Sequence, residues 1–416
     1  NMASHSSSRR SFLKSSAALG TAASYGRVLG ANNRLRLGFV GMGNRGTGIA
    51  NTVTKLIEAG ANVEIAAVCD IYQPRLERAE TRFKAKGFAR SAEMLGASRL
   101  DAVIIATPDR HHVANTLEAI RAGLDVYVEK PICHWAQFDA LKRLVHENRK
   151  LGRIVQVGTQ FVADSVWEKA AAAIAEGAIG KPVHAQTCYF RRGDQGERGM
   201  KIDDPNAKPG LGLDWETFQA DAPRRPFEVS RFFQWRLYMD YSGGPLTDTY
   251  PHTLTPLLKM LNPGFPKKVV ALGGRYYYNH GRDVPDTFDL LIQYPQNLTV
   301  AFLGTFVNAT RIDTLVRGSE ATLTRKPEGV VIEPAKGSDK AARQIPADIE
   351  SFGEGHAQQL AAHLKDFFEC VRSRKQPRGN LELAYIVQVP ILMAMQAHLK
   401  DKVVYFDAVR EEMRMA

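Results

Sequence analysis

From Leu35 onward, short apolar runs alternate with longer stretches that have helical periodicity. The apolar runs are LRLGFV, NVEIAAVCD, LDAVIIATP, LDVYVEKP and RIVQVGTQ. Strands that alternate with helices in this way form right-handed β-α-β units around a parallel sheet. We therefore expect a doubly wound α/β domain of the Rossmann type over residues 32–160.

The pattern changes after about residue 161. Runs such as KKVVALGG, DTFDLLIQYP and LTVAFLGTF follow one another with turn residues between them, and helical stretches at 356–400 close the chain. Successive strands without intervening helices are typical of antiparallel sheets. Because 416 residues exceed one typical domain, we predict a second, α+β domain over 161–416 with a large, mainly antiparallel sheet.

The charge pattern excludes one class of partner. The net charge is +11, but Lys and Arg are interspersed with Asp and Glu. No run of like charge resembles a nucleic-acid patch, so we expect no nucleic-acid partner. The spacing of the four cysteines matches no zinc pattern, and we expect buried free thiols, with one disulfide still possible in an oxidising compartment.

The N-terminus has a composition of its own. Arg9 and Arg10 lie in SRRSFLK, and an Ala/Gly/Ser-rich stretch follows as far as Ala31. This resembles a twin-arginine export signal, whereas a disordered basic tail is the alternative. The apolar part is too short and too polar to form a stable membrane anchor. We expect residues 1–31 to be a signal or N-terminal arm and the protein to be exported to the periplasm.

A glycine-rich turn follows the first predicted strand. In GFVGMGNRG the spacing is G-x-G-x-x-G, and an acid, Asp70, ends the second strand. Such glycines let backbone N–H groups approach a pyrophosphate, and the acid binds the adenosine ribose hydroxyls or simply caps the strand. We predict an NAD site, with NADP left open by Arg45 and Arg75. The predicted cofactor contacts here are Gly41, Gly43, Asn44, Arg45, Gly46 and Asp70.

A second motif lies in the predicted C-terminal domain, where TDTYPH places Asp248 four residues before His252. This pair is open to three interpretations: half a metal site, an acid/base pair, or the capped start of a helix. With a helix beginning near Thr249, Asp248 is close to the N-cap and His252 lies one turn in. We find no further ligands at metal-site spacing, so no metal is predicted, and an imidazole suits the role of base.

Two further runs carry a family resemblance. Thr107, Pro108 and His112 match T-P-x-x-x-H, and Ala122 to Pro131 match A-G-x-x-V-x-x-E-K-P. Together with the glycine motif, they resemble the family of glucose–fructose oxidoreductase, inositol dehydrogenase and MocA (the Gfo/Idh/MocA family). The resemblance extends over nearly the whole chain and implies an open-faced second sheet.

The resemblance implies roles for individual residues. Thr107, Pro108 and His112 would lie beside the cofactor, and Glu129 would bind the nicotinamide ribose. Lys130, before a cis proline, would point at the substrate. Lys130 and His252 would then flank the reacting carbon as acid and base, with Asp248 either holding the substrate or orienting them.

Tyr189, Arg192 and Tyr250 are the candidate substrate contacts, the first two because they lie at the start of a long polar loop. The resemblance implies an NAD(P)-dependent oxidoreductase that acts on a hydroxyl of a sugar or cyclitol. An alternative is an NAD-dependent glycoside hydrolase that keeps and recycles its NAD. A carbohydrate substrate and a homo-oligomer, dimer or tetramer, are the expected partners.

Overall fold

The computed structural model describes residues 34–193, 200–279, 281–349 and 355–416. The predicted export signal at 1–31 lies outside these described residues. Among the described residues, no helix has both the length and the apolar character that crossing a bilayer requires.

The first sheet is parallel and has the predicted Rossmann architecture. Its six strands run in the order β3-β2-β1-β4-β5-β6. The strands are β1 (Leu35–Val40), β2 (Val63–Cys69), β3 (Lys86–Phe88), β4 (Ala102–Ile105), β5 (Asp125–Val128) and β6 (Val155–Val157). The apolar runs are buried because helices cover both faces of the sheet. The short edge strand β3 was not predicted, since three residues are too few to show a periodicity.

Helices connect and cover these strands. They are α1 (Asn44–Glu58), α2 (Gln73–Phe83), α3 (Ser91–Ala97), α4 (His112–Arg121) and α5 (Phe138–Leu151). A later helix, α11 (Gly355–Ser373), packs on the same domain, where Leu364 and Phe367 join the core formed by Leu37 and Ile49. The chain therefore returns to the first domain after building the second.

The second sheet has ten strands in the order β14-β13-β12-β11-β7-β10-β9-β8-β15-β16. Only β7 and β10 pair in parallel, and the other neighbouring pairs for which registers are known are antiparallel, as predicted. The strands are β7 (Pro182–Phe190), β8 (Lys268–Gly274), β9 (Thr287–Tyr294), β10 (Leu298–Thr305), β11 (Leu315–Gly318), β12 (Ala321–Lys326), β13 (Gly329–Pro334), β14 (Arg343–Pro346), β15 (Val404–Asp407) and β16 (Glu412–Met415).

One face of this sheet is covered and part of the other is exposed. Phe288, Leu290 and Ile292 of β9 are buried, whereas Leu291, which points the opposite way, is 48% exposed and Leu272 of β8 is 73% exposed. The remaining helices are α6 (Val166–Ala175), α7 (Trp215–Gln219), α8 (Val229–Phe233), α9 (Pro245–Asp248), α10 (Tyr250–Leu261) and α12 (Leu381–Lys400). In the described part of the chain, single 3₁₀ turns occur at Asp109–His111, Gln160–Ala163 and Trp235–Leu237.

A long segment between β7 and α9, residues 200–241, is here called the excursion. Its buried aromatic side chains, including Trp215, Phe232 and Phe233, form a third hydrophobic cluster with Tyr72 of the first domain. Backbone hydrogen bonds fix it there: Gln73 N donates to Gly212 O at 2.9 Å, and Asp214 N donates to Ile71 O at 3.2 Å. The excursion therefore packs over the edge of the first sheet at which its strands end.

The segment around Tyr250 corrects one site prediction. Tyr250 was expected to contact substrate, but it is fully buried beneath the second sheet, where its ring stacks on Phe302 with centroids 3.8 Å apart. Its hydroxyl donates a hydrogen bond to the carbonyl of Phe288. Gly304 leaves room for this hydroxyl, because a Cβ there would lie 2.3 Å from it. Tyr250 is thus a core residue, and its polar tip is satisfied by backbone.

We predict that Gly304→Ala lowers the free energy of unfolding by about 1–3 kcal/mol, because the added methyl group overpacks the site of the Tyr250 hydroxyl. Tyr250→Phe alone should cost about 1 kcal/mol for the lost hydrogen bond. Denaturant unfolding of both single variants and the double variant measures the coupling. Gly304→Ala should lower the free energy of unfolding by less in the Tyr250→Phe background than in the wild type. Full additivity of the two changes would contradict the contact between position 304 and the Tyr250 hydroxyl.

Gly96→Ala provides the matched control. A Cβ at Gly96, in helix α3, would meet no atom within 4 Å. Because alanine has the higher helix propensity, this variant should be neutral or slightly more stable than the wild type.

Candidate active site

The glycine-rich turn connects β1 to α1 by a close backbone approach. Gly41 has φ +89° and donates its N–H to Cys69 O at 2.8 Å. A Cβ on Gly41 would lie 2.8 Å from Ala106 O, and a Cβ on Gly46 would lie 1.9 Å from Gly41 O. Only glycine fits at these two positions, which leaves an open backbone cradle at the N-terminus of α1.

Asp70 ends the neighbouring strand and is held by backbone. Its Oδ2 accepts a hydrogen bond from Met42 N at 2.7 Å, and its Oδ1 accepts one from Tyr72 N at 2.9 Å. Burial raises the pKa of this carboxyl, while Arg75 and the two N–H donors oppose that rise. Asp70 therefore caps the turn and also lines the cavity described next, and its binding of the ribose stays a prediction.

A cavity of about 420 Å³ lies between the end of the first sheet and the excursion. Ten residues predicted to serve the cofactor or the chemistry line it: Gly41, Gly43, Asn44, Arg45, Asp70, Thr107, Pro108, His112, Glu129 and Lys130. The opposite wall comes from the excursion, through Met200, Lys201, Phe232, Phe233, Trp235 and Arg236. The backbone cradle and the neighbouring acid fit a dinucleotide bound at the helix N-terminus.

The floor of the cavity is built from paired polar groups. Arg45 Nη2 lies 2.7 Å from Glu129 Oε1, and the carboxylate of Glu129 is buried. His112 places its ring nitrogens 2.6 Å from Pro131 O and 2.8 Å from Thr107 O, and burial lowers its pKa to about 4. His112 therefore links the two sequence motifs and does not act as a titrating base near neutrality.

Lys130 and Asp248 join the two domains at one end of the cavity. Lys130 Nζ lies 2.9 Å from Asp248 Oδ1, and Arg236 Nε of the excursion lies 3.1 Å from the same oxygen. Burial alone would raise the pKa of Asp248, but the charges of Lys130 and Arg236 hold it well below its usual range. Asp248 is therefore a carboxylate that two cations share. The Lys130–Pro131 peptide bond is cis, as the resemblance implies.

Asp248 is the last residue of α9 and not the N-cap of the following helix, a position that Thr249 takes. His252 lies in the first turn of α10, and its ring packs against Phe161 with centroids 5.2 Å apart. Its Nδ1 has no hydrogen-bond partner among the described residues. Burial, together with the charges of Lys130 and Arg45, lowers the pKa of His252 well below its usual range. The imidazole is thus neutral, and its Nδ1 is buried.

Two polar residues at this end of the cavity were not among the site residues predicted individually from the sequence. Asp109 is buried, lines the cavity, and has an Oδ2 without a partner among the described residues. Its pKa is raised to about 8, chiefly by burial and partly by the charge of Asp248, against the opposing charges of Arg236 and Lys130. The other is Arg236, which follows Lys130 by about 100 residues in the sequence although both contact Asp248.

The predicted substrate contacts at the start of the long loop lie away from the cavity lining. Arg192 is exposed, and Tyr189 is partly buried and packs on the core of the second sheet. The neighbouring Arg191 instead stacks over the Phe306 ring at 4.3 Å, and its charge helps to lower the pKa of Asp248. Among the described residues, no group of three or more His, Cys, Asp or Glu side chains could hold a metal ion.

Comparison with protein families identifies the class that this fold and site define. Residues 35–159 match the NAD-binding Rossmann fold of the GFO_IDH_MocA oxidoreductase family, and residues 217–406 match the C-terminal alpha/beta domain of the same family. The chain belongs to the Gfo/Idh/MocA family of oxidoreductases. Its first domain is accordingly an NAD-binding domain.

The curated relatives resemble mainly this first domain. Inositol 2-dehydrogenase 1 of Saccharopolyspora erythraea is 33% identical over 149 residues, which are 36% of this chain and 44% of that protein. An inositol 2-dehydrogenase of Rubrobacter xylanophilus is 31% identical over 155 residues, 37% of this chain and 43% of that protein. The alignments thus span less than half the length of these relatives.

Solved structures match over both domains. The WlbA dehydrogenase from Bordetella pertussis, in complex with NADH and UDP-GlcNAcA, has a TM-score of 0.65 at 16% identity, covering 90% of this chain and 98% of that chain. Levoglucosan dehydrogenase, in complex with NADH and levoglucosan, has a TM-score of 0.66 at 16% identity and covers 92% and 99%. At such low identity the likeness establishes the shared fold.

We predict that Asp109 makes stability fall as the pH rises. The folded protein keeps the Asp109 proton up to a pH of about 8, whereas the unfolded chain releases it near the ordinary pKa of about 4. Between these values the folded state binds more protons, so the free energy of unfolding declines with increasing pH. Relative to the wild type, Asp109→Asn should gain stability steadily from pH 4 to 8, as measured by chemical denaturation at a series of pH values.

The exposed Asp339 provides the control. The free energy of unfolding of Asp339→Asn should differ from that of the wild type by an amount that does not change with pH over the same range. If the difference in the free energy of unfolding between Asp109→Asn and the wild type is also independent of pH, Asp109 ionises normally in the folded protein and the prediction is wrong.

Proposed function

We propose that the protein is an NAD-dependent dehydrogenase that transfers a hydride between the nicotinamide cofactor and a carbinol carbon of a sugar or cyclitol. The observation that carries this proposal is the Lys130–Asp248 ion pair at the end of the dinucleotide cavity, with the neutral His252 beside it. The similarity of this chain to inositol dehydrogenases and to levoglucosan dehydrogenase supports a polyhydroxylated substrate.

In the proposed mechanism the bound cofactor supplies the hydride acceptor, and the protein residues bind, orient and move the proton. The N–H groups of the glycine turn and the carboxylates of Asp70 and Glu129 would hold the dinucleotide. The carboxylate of Asp70 favours NAD, because it would repel a 2′-phosphate. Lys130 Nζ would hydrogen-bond the substrate hydroxyl, Asp248 would fix the position of Lys130, and the imidazole of His252 would accept the hydroxyl proton.

We predict that Lys130→Met and His252→Gln each lower kcat/KM by roughly 10²–10⁴-fold, because each removes a group that contacts the transferred proton. Asp248→Asn should lower it as well, since the partly buried Lys130 and Arg236 lose their shared counter-charge. The measurement is NADH formation over a panel of sugars and cyclitols, with NADH affinity followed separately by fluorescence.

Lys169→Met is the matched control, because Lys169 forms an exposed ion pair with Asp348 and is not among the residues that line the cavity. The control should keep wild-type rates, and all variants should keep their NADH affinity. Wild-type activity in both Lys130→Met and His252→Gln would refute the assignment of the site.

A second candidate is net glycoside hydrolysis with a retained, recycled NAD. The observation in its favour is the excursion, which forms one wall of the cavity and would hinder exchange of the cofactor. Incubation of the purified protein with a panel of aryl glycosides, without added cofactor, separates the two candidates. Release of the aglycone without accumulation of NADH would favour hydrolysis, whereas NADH formation only with added NAD favours the dehydrogenase.

We also propose that residues 1–31 direct export by the twin-arginine route, supported by Arg9 and Arg10 ahead of the Ala/Gly/Ser-rich stretch. That route carries folded proteins, which suits an enzyme that binds its cofactor before export. Replacing both arginines by lysine should move the protein from the periplasmic to the cytoplasmic fraction, as measured by fractionation and immunoblotting. Unchanged export of this variant would contradict the proposal.

The homo-oligomer expected from the family resemblance stays a prediction. The exposed Val270, Leu272 and Leu291 on the open face of the second sheet are compatible with a subunit contact there.

A further inference from the structure

Arg236 reaches the centre of the proposed active site from the excursion. Its guanidinium stacks over the Trp235 ring at 4.2 Å, and its Nε donates a hydrogen bond to Asp248 Oδ1 at 3.1 Å. The side chain is 22% exposed and lines the cavity together with Lys130. Stacking and the hydrogen bond fix the guanidinium plane, so its outer edge has a defined direction.

That outer edge lacks a strong acceptor. Nη1 of Arg236 faces the thioether sulfur of Met200 at 3.3 Å, and Nη2 makes no hydrogen bond to any other described residue. A thioether is a weak acceptor. Two parallel N–H donors of a guanidinium match the two oxygens of a carboxylate in a bidentate pair. The vacant edge therefore has the shape and charge of a carboxylate-binding site.

The balance of charges at this end of the cavity also favours the binding of an anion. Lys130 and Arg236 both bind Oδ1 of Asp248, so two cations share one counter-charge. Arg45 and Glu129 neutralise each other at 2.7 Å. Among the described residues that line this end of the cavity, Asp109 is the other acid, and its carboxyl stays protonated near neutral pH, because burial raises its pKa to about 8. A partly buried surplus cation is costly unless an anion pairs with it.

The cofactor does not satisfy this cation in the proposed binding mode. The pyrophosphate would bind at the glycine turn and the N-terminus of α1, whereas Arg236 contacts Asp248 and accompanies Lys130 at the substrate end. The anion that pairs with Arg236 then belongs to the substrate. A single negative charge is the better match, because the carboxylate of Asp248 lies beside the guanidinium and would repel a phosphate dianion.

We propose that the substrate carries a carboxylate, as in a hexuronic or aldonic acid or their glycosides, and that Arg236 binds this carboxylate through its Nη1–Nη2 edge. The inference deepens the proposed function and rests on it for the placement of cofactor and reacting carbon. Lys130 and His252 then contact the hydroxyl that is oxidised, and Arg236 binds the carboxylate on another carbon of the same molecule.

The test compares acids with their neutral esters. Binding of D-glucuronate, D-galacturonate, D-mannuronate and D-gluconate, and of the corresponding methyl esters or lactone, is measured by calorimetry on the full chain saturated with NADH. At least one acid should bind at least tenfold more tightly than its neutral counterpart. Arg236→Gln should abolish the difference and Arg236→Lys should retain part of it, since lysine keeps the charge but not the fork.

Arg224→Gln is the matched control, because Arg224 lies on the same excursion with a side chain that is 61% exposed and pairs with Glu216. It should keep the full preference for the acid. The proposal is overturned if no acid binds more tightly than its neutral counterpart, if Arg236→Gln keeps the preference, or if hexose 6-phosphates bind more tightly than the acids.

Initial rates of NAD reduction with the same compounds keep the two proposals distinguishable. Oxidation of neutral sugars without any preference for acids in binding would overturn the carboxylate inference and leave the dehydrogenase intact. Acid binding that depends on Arg236, without NADH formation from any compound, would support the carboxylate site and count against the dehydrogenase.

Discussion

The ion pair between Lys130 and Asp248 is the contact on which the arrangement of the site depends. Lys130 follows a strand of the first sheet, Asp248 ends a helix of the second domain, and Arg236 comes from the excursion. Burying these charges costs desolvation energy that their mutual attraction only partly repays. A hydrophobic contact could join the domains at lower cost. The charges are therefore better explained by chemistry at the cavity than by stability.

The parallel sheet explains why this chemistry is located where it is. All six strands of the first domain end at one edge, so Asp70, Thr107 and Glu129 reach the same cavity from separate parts of the sequence. Crevices outside the carboxyl ends of such strands are the usual ligand sites of open α/β sheets. The second domain and the excursion then supply the opposite wall. Each domain alone would leave half of the site exposed to water.

Local sequence patterns were sufficient to predict the cavity residues that belong to short motifs. The glycine turn and the E-K-P run lie directly at strand ends, and their short-range geometry fixes them in the cavity. Arg236 could not be found in this way, because only the path of the excursion brings it to Asp248. Tyr250 was wrongly placed for a related reason. The candidate site residues Asp248 and His252 lie two positions to either side of Tyr250. Helical residues two positions apart face different sides, however, and Tyr250 points into the core.

Burial decides the charge state of the site as much as the identity of its residues does. His252 is neutral because it is buried next to cations, and Asp109 keeps its proton because it is buried beside a carboxylate. Sequence alone shows a histidine and an aspartate without these environments. In the proposed mechanism His252 would take up the proton, and the surplus positive charge of the two cations around Asp248 would pair with an anionic group on the substrate. Under these proposals, proton transfer and substrate selection would use different members of one charge network.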